Sequence, residues 1–177
     1  EVLGVIGVEN RSNIFYSELS PNLVNALIAT EDVRFYDHSG IDFRSLFRVL
    51  GKTVLGGDKS SGGGSTITQQ LAKNLFPREQ KSKLGLVHAK LKEWVVAAKL
   101  EHNYSKTEII AMYLNTVDFG SNSFGIKAAA KTFFGKTPTD LTVEEAATLV
   151  GLLKAPTTYS PVLNPENSKH RRNVVMH

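Results

Sequence analysis

Two adjacent carboxylates, Glu31 and Asp32, close an apolar helical pattern, and Phe35, His38 and Gly40 follow in the same short segment, ATEDVRFYDHSG. Leu23, Leu27 and Glu31 fall at i, i+4 and i+8, and so share one face with Ala26 and Thr30. Glu31 then stands at the end of an apolar stripe, where burial disfavours the charged form and suits a carboxyl to proton transfer near neutral pH. The bland alternative is a helix-end glutamate facing water, the usual situation for this residue type. Asp32 is turned about 100° away by the helical repeat, which assigns it to holding the loop that follows.

A second stretch with chemical content is DKSSGGGSTITQQLAKN. Gly62, Gly63 and Gly64 make a turn, and Ser65 is placed to cap a helix carrying Ile67, Leu71 and Leu75. Backbone N–H groups at such an N-terminus attract phosphate oxygens. This is no Walker A loop, because Lys59 follows Asp58 where that motif needs glycine. Gln70, Lys73 and Asn74, at i, i+3 and i+4, form a polar face opposite the apolar one. Further on, Lys90 and Glu93 are helical neighbours whose ordinary reading is a surface ion pair of little worth.

The elements that must position these residues read almost entirely as helix. Residues 1–17 alternate weakly and suit a short strand or extended arm. Ser20-Pro21 starts a helix, serine as N-cap and proline at the first position. Asp42 caps a second helix with Phe43, Leu46, Phe47, Leu50 and Val54 on one face and Arg44, Arg48 and Lys52 elsewhere. That is either a core helix or a basic amphipathic helix lying on an anionic bilayer, and Gly51 with Gly56-Gly57 makes it breakable. A helix from about Leu86 to Glu101 is expected to bury Leu91, Trp94, Val95 and Ala98. Ser105 with Glu108, and Thr142 with Glu145, are capping boxes that open two more helices. Between them lie a turn at 118–122 and a small-residue helix ending at Gly135, and Ala155-Pro156 breaks the last helix, with Tyr159-Ser160-Pro161 continuing as loop.

With 177 residues, 41% hydrophobic and 21% charged, the chain can bury one good core and is not a disordered tail. No cysteine is present, which excludes disulfides and thiolate metal sites. The net charge of +4 is unevenly spread: from Arg44 to Lys99 the only acids are Asp58, Glu79 and Glu93. A basic middle suits an anionic partner. Nucleic acid is not expected, since the bases lack interleaved aromatics and a known motif. There is no apolar run of transmembrane length. The abrupt start at Glu1 and the basic end SKHRRNVVMH suggest an excised domain lacking an anchor and a C-terminal neighbour.

In motif order over nearly its whole length, the chain resembles the peptidoglycan glycosyltransferase domain (glycosyltransferase family 51) of bifunctional penicillin-binding proteins and monofunctional transglycosylases. Glu31, Asp32, Phe35, His38 and Gly40 match the family's first motif, E-D-x-x-F-x-x-H-x-G, and Gly63 through Asn74 match its second, G-G-S-T-I-T-Q-Q-L-x-K-N. Lys90 and Glu93 match the third, R-K-x-x-E, but Ala89 stands where arginine is usual. Asn115 to Gly120 resembles the fourth, and Glu145-Ala146 through Pro156, with Tyr159 and Pro161, the fifth.

The resemblance implies a mainly α, lysozyme-like helical domain with a smaller membrane-facing jaw lobe, placed roughly at residues 42–62 of a single unit. It implies polymerisation of lipid II with inversion at the sugar and release of undecaprenyl pyrophosphate, outside the bacterial cytoplasmic membrane. In that reading Glu31 is the base and Lys73 stabilises the pyrophosphate. Lys90 shares that task, while Gln70, Ser65 and Thr66 hydrogen-bond phosphate or sugar, and the Gly63-Gly64 turn offers backbone N–H groups. Asn115 belongs to the substrate-binding set, and Lys81 is chosen over Arg78 and Lys83 as a further phosphate cation. Asp32, Phe35 and His38 support the loop. Glu93 is the second catalytic carboxylate, with three readings: orienting Lys90, holding a divalent cation (Mg2+ or Mn2+), or assisting the leaving group. No organic cofactor is expected. The partners implied are the growing lipid-linked glycan, an anionic membrane surface and a transpeptidase domain in the full protein. The rivals are a lysozyme-like hydrolase, which needs no pyrophosphate cations, and a non-catalytic lipid-pyrophosphate binding module.

Overall fold

In the computed structural model, residues 13–56, 64–77 and 83–177 are described. The arm expected over residues 1–17 falls mostly outside them, as do Lys81, Gly57, Gly62 and Gly63. Eight α-helices run in order among the described residues: α1 Pro21–Glu31, α2 Phe43–Gly56, α3 Ile67–Leu75, α4 Lys83–Asn103, α5 Lys106–Thr116, α6 Ile126–Phe134, α7 Val143–Leu152 and α8 Pro165–Met176. The only β pairing in these residues is an isolated antiparallel bridge between Asp118 and Phe124.

Local signals set most boundaries. Ser20 and Pro21 open α1, and reciprocal capping boxes open α5 through Ser105 and Glu108 and α7 through Thr142 and Glu145. Gly135, in the left-handed conformation, stops α6. Helix α7 packs between α1 and α8, and α3 between α4 and α5. The core they enclose includes Leu23, Leu27, Phe35, Ile67, Leu71, Ile109, Tyr113, Leu114, Ile126 and Leu149.

Two expectations need correction. Helix α4 is longer than expected and turns the other way: Glu93, Ala97 and Leu100 are buried, while Leu91 and Val95 are 52% and 57% exposed. On its inner side the main chain at Ala97 lies so close to Gly40 that a β-carbon at position 40 would overlap it. The basic C-terminal segment, for which no helix is expected from the sequence, lies in α8. Its side chains are almost all outside the core, Ser168 being buried, so no apolar period marks it.

Phe43 and Phe47 of α2 are 55% and 68% exposed, which is not how a core helix presents its apolar face. Phe43 meets Trp94 edge-on at 6.4 Å, so the outward apolar stripe of α4 adjoins α2. Among the described residues no helix is long and apolar enough to cross a membrane.

Candidate active site

The segment from Glu31 to Gly40 is fastened onto the first turns of α3. Asp32, buried at the C-terminal cap of α1, accepts a hydrogen bond from the backbone N–H of Ile67 at 3.0 Å. A carboxylate there also complements the positive end of the α3 dipole. The Thr66 hydroxyl donates to the Gly40 carbonyl at 2.6 Å and accepts from the Gln69 N–H at 3.1 Å. Thr66, and not Ser65, is therefore the N-cap. Its buried hydroxyl, donating to Gly40 and accepting from Gln69, ties the loop to α3.

His38 completes the loop. Gly40 N–H donates to its Nδ1 at 3.2 Å, which leaves Nε2 to carry the proton and donate to the Asp32 carboxylate at 3.0 Å. Lys106 donates to the His38 carbonyl at 2.6 Å and stands 4.4 Å from the centre of the Phe35 ring. Lys106 is held in turn by Glu101, which also accepts from the Thr68 hydroxyl at 2.6 Å. Phe35 is fully buried beneath the loop. The support roles read for Asp32, Phe35 and His38 thus have visible partners. Lys106, Glu101 and Thr68 were not legible as part of the set, because each lies in a different element.

Glu31 ends the stripe as expected, but the burial stops one turn short: Leu23 and Leu27 are fully buried and Glu31 half-buried. Its carboxylate accepts from Gln70 Nε2 at 2.9 Å, and Gln70 Oε1 accepts from the Tyr113 hydroxyl at 3.0 Å. Burial first, and the Glu31 charge second, push the Tyr113 phenol far above its ordinary range, so it remains a donor. Glu31, Asp32, Gly64, Ser65, Thr66 and Arg48 share the lining of a cleft of about 190 Å³. At its edge Arg34 makes a bidentate pair with Asp42, which also caps α2 by accepting from the Ser45 N–H. Burial alone would raise the Asp42 carboxyl, but hydrogen bonds from Arg34 and Ser45 outweigh it and hold the group well below the usual carboxylate range.

Lys90 and Glu93 are not a surface pair. Glu93 is 5% exposed and lies 3.1 Å from the Lys90 ammonium, which also donates to Ser65 Oγ at 2.9 Å and Gln69 Oε1 at 3.4 Å. Lys90 thereby joins α4 to the start of α3. Of the three readings of Glu93, orienting Lys90 has a contact behind it. A carboxylate beside an ammonium is a poor donor set for a divalent cation, and the described residues gather no group of three or more metal-binding side chains.

Lys73, one turn beyond Gln70 on the same face of α3, is exposed and makes no ion pair or hydrogen bond among the described residues. Asn115 is engaged elsewhere: its amide donates to the Ile14 carbonyl at 2.9 Å and accepts from the Ile14 N–H at 3.1 Å, clamping the start of the described chain to α5. Tyr113 was missed. Its signal is a phenol within the apolar set Ile109, Ile110 and Leu114, since a buried tyrosine hydroxyl needs a partner.

The sequence model of the Transglycosylase family matches residues 1–177. The chain belongs to the transglycosylase family. It is 45% identical over 168 residues to penicillin-binding protein 1F of Bacillus subtilis, covering 95% of this chain and 23% of that protein. It is 40% identical over 176 residues to penicillin-binding protein 1A of Haemophilus influenzae, covering 99% and 20%. A crystal structure of the Haemophilus influenzae protein aligns with 60% of this chain and 13% of that one, at 34% identity and a TM-score of 0.39. The chain therefore spans about a fifth of the length of these curated relatives. Family membership makes it a peptidoglycan glycosyltransferase by class, a hexosyltransferase, with a mainly helical fold.

Proposed function

We propose that this domain polymerises lipid II into β-1,4 glycan strands with release of undecaprenyl pyrophosphate. The observation that carries the reading is the cleft that Glu31 lines together with Gly64 and Ser65. Glu31 takes the proton from the acceptor's 4-hydroxyl as that oxygen attacks C1 of the donor. The bond from C1 to the pyrophosphate breaks on the opposite side, which inverts the α linkage to β. Charge then builds on the leaving group, and a cation stabilises it. Lys73 serves there because it is exposed and uncommitted among the described residues, one turn from Gln70. Lys90, steered by Glu93, and the backbone N–H of Gly64 act beside it. Because pyrophosphate is already a good leaving group, no second acid is needed, and Glu93 works through Lys90.

The exposed apolar residues Phe43 and Phe47 of α2 and Leu91 and Val95 of α4 support the membrane-facing reading of the jaw. With Arg44 and Arg48 on α2, they suit a surface lying on an anionic bilayer. In this reading the domain works on the outer face of the bacterial cytoplasmic membrane, where lipid II is used. The names of the relatives support a penicillin-binding transpeptidase domain in the full protein.

The test is incubation of the protein with labelled lipid II in detergent. Glycan polymer with release of the lipid pyrophosphate is expected. Cleavage of preformed glycan would make it a hydrolase, and binding of lipid II without turnover would make it a binding module.

A further inference from the structure

We infer that Tyr113 is a positioning residue for the Glu31 base and acts through the side-chain amide of Gln70. The inference rests on the reading of Glu31 as the base. A glutamine amide can present either its NH2 or its carbonyl to a neighbour, the two differing by a half turn of the group. An ionised carboxylate only accepts hydrogen bonds. Only one orientation of Gln70 is therefore compatible with an ionised Glu31: Nε2 toward the carboxylate, as found at 2.9 Å. In that orientation Oε1 points at the Tyr113 hydroxyl, 3.0 Å away, and the phenol donates.

Tyr113 is suited to enforce this. It is 1% exposed and packed in α5 within the core. Its burial and the nearby Glu31 charge both favour the protonated phenol, so it keeps its donor. Gln70 is half-buried beside Glu31 and, without that lock, its amide could turn and set an oxygen against the carboxylate. The arrangement also distinguishes the two oxygens of the base. Gln70 occupies Oε2, which leaves Oε1 to receive the acceptor's proton.

The test is steady-state polymerisation of labelled lipid II by Tyr113→Phe, Gln70→Ala, the double variant and Glu31→Gln. Loss of one neutral hydrogen bond predicts a fall in kcat of roughly tenfold for Tyr113→Phe, with KM unchanged. In the Gln70→Ala background the Tyr113→Phe change adds no further loss, because the relay is already cut. Equal losses in both backgrounds, or a raised KM with intact kcat, would overturn the inference. If Tyr113→Phe does not fold, Gln70→Met, which keeps volume but has no amide, carries the same test: reduced kcat with unchanged KM supports the relay and unchanged kcat overturns it. Retained activity in Glu31→Gln would instead sink the reading of Glu31 itself. An inactive Glu31→Gln beside additive Tyr113 and Gln70 effects would sink this inference alone.

Discussion

The Asp32 carboxylate accepts the backbone N–H of Ile67, the first residue of α3, at 3.0 Å. This one contact joins the two longest motifs of the chain, so the carboxylate next to the base anchors the helix that carries Gln70 and Lys73. Removing it leaves a buried donor unsatisfied. Asp32→Ala is predicted to lower unfolding stability by about 1–3 kcal/mol and to reduce turnover of labelled lipid II in protein that is still folded. Chemical denaturation with a parallel activity assay measures both.

Gly40 is the second joint. Its φ is +90°, and a β-carbon there would stand 2.9 Å from the carbonyl carbon and oxygen of Ala97. Alanine brings both backbone strain and overlap with main chain that cannot swing aside. The strain alone predicts a loss of about 1–3 kcal/mol for Gly40→Ala, and the overlap adds to it. A melting temperature equal to wild type would show that the loop and α4 are not in this contact.

The Arg34–Asp42 pair gives a pH signature. The folded protein holds the Asp42 carboxyl below its ordinary range, so it binds this proton less readily than the unfolded chain does. Its contribution is complete above the usual aspartate range and is lost as pH falls through and below it. Asp42→Asn is therefore predicted to destabilise by roughly 1.5–3 kcal/mol at neutral pH, with the gap from wild type narrowing in acid. Denaturation curves at neutral pH and at a series of acidic values check the sign.

Lys73 separates catalysis from stability. It is exposed and without a partner among the described residues, so Lys73→Ala should unfold like wild type. Loss of a cation that stabilises the leaving group predicts a fall in kcat of about a hundredfold or more. Intact turnover would remove Lys73 from the pyrophosphate role.

What could be read from the sequence divides by range. Caps and breakers act over three or four residues, so Ser20-Pro21, the Ser105 and Thr142 boxes and the stop at Gly135 all stand where the sequence places them. The motif around Glu31 was legible too, because its helix and loop are contiguous. Long-range choices were not. The sequence places the α3 cap at Ser65, but Lys90 engages Ser65 and the cap is Thr66, whose hydroxyl is held by the Gly40 carbonyl. The face of α4 was misjudged because its inner side is the one that meets Gly40 at Ala97, not the one its own hydrophobic period marks. Helix α8 lacks an apolar stripe, and its place comes from packing on α7 and, to a lesser extent, α1.

The most direct test of the account is Glu31→Gln assayed for glycan polymer from labelled lipid II, with its unfolding curve recorded beside wild type. The substitution keeps the size of a half-buried side chain and removes its ability to take a proton. No polymer from a protein of unchanged stability is the predicted result. Wild-type polymerisation by the variant would contradict the assignment of Glu31 as the base.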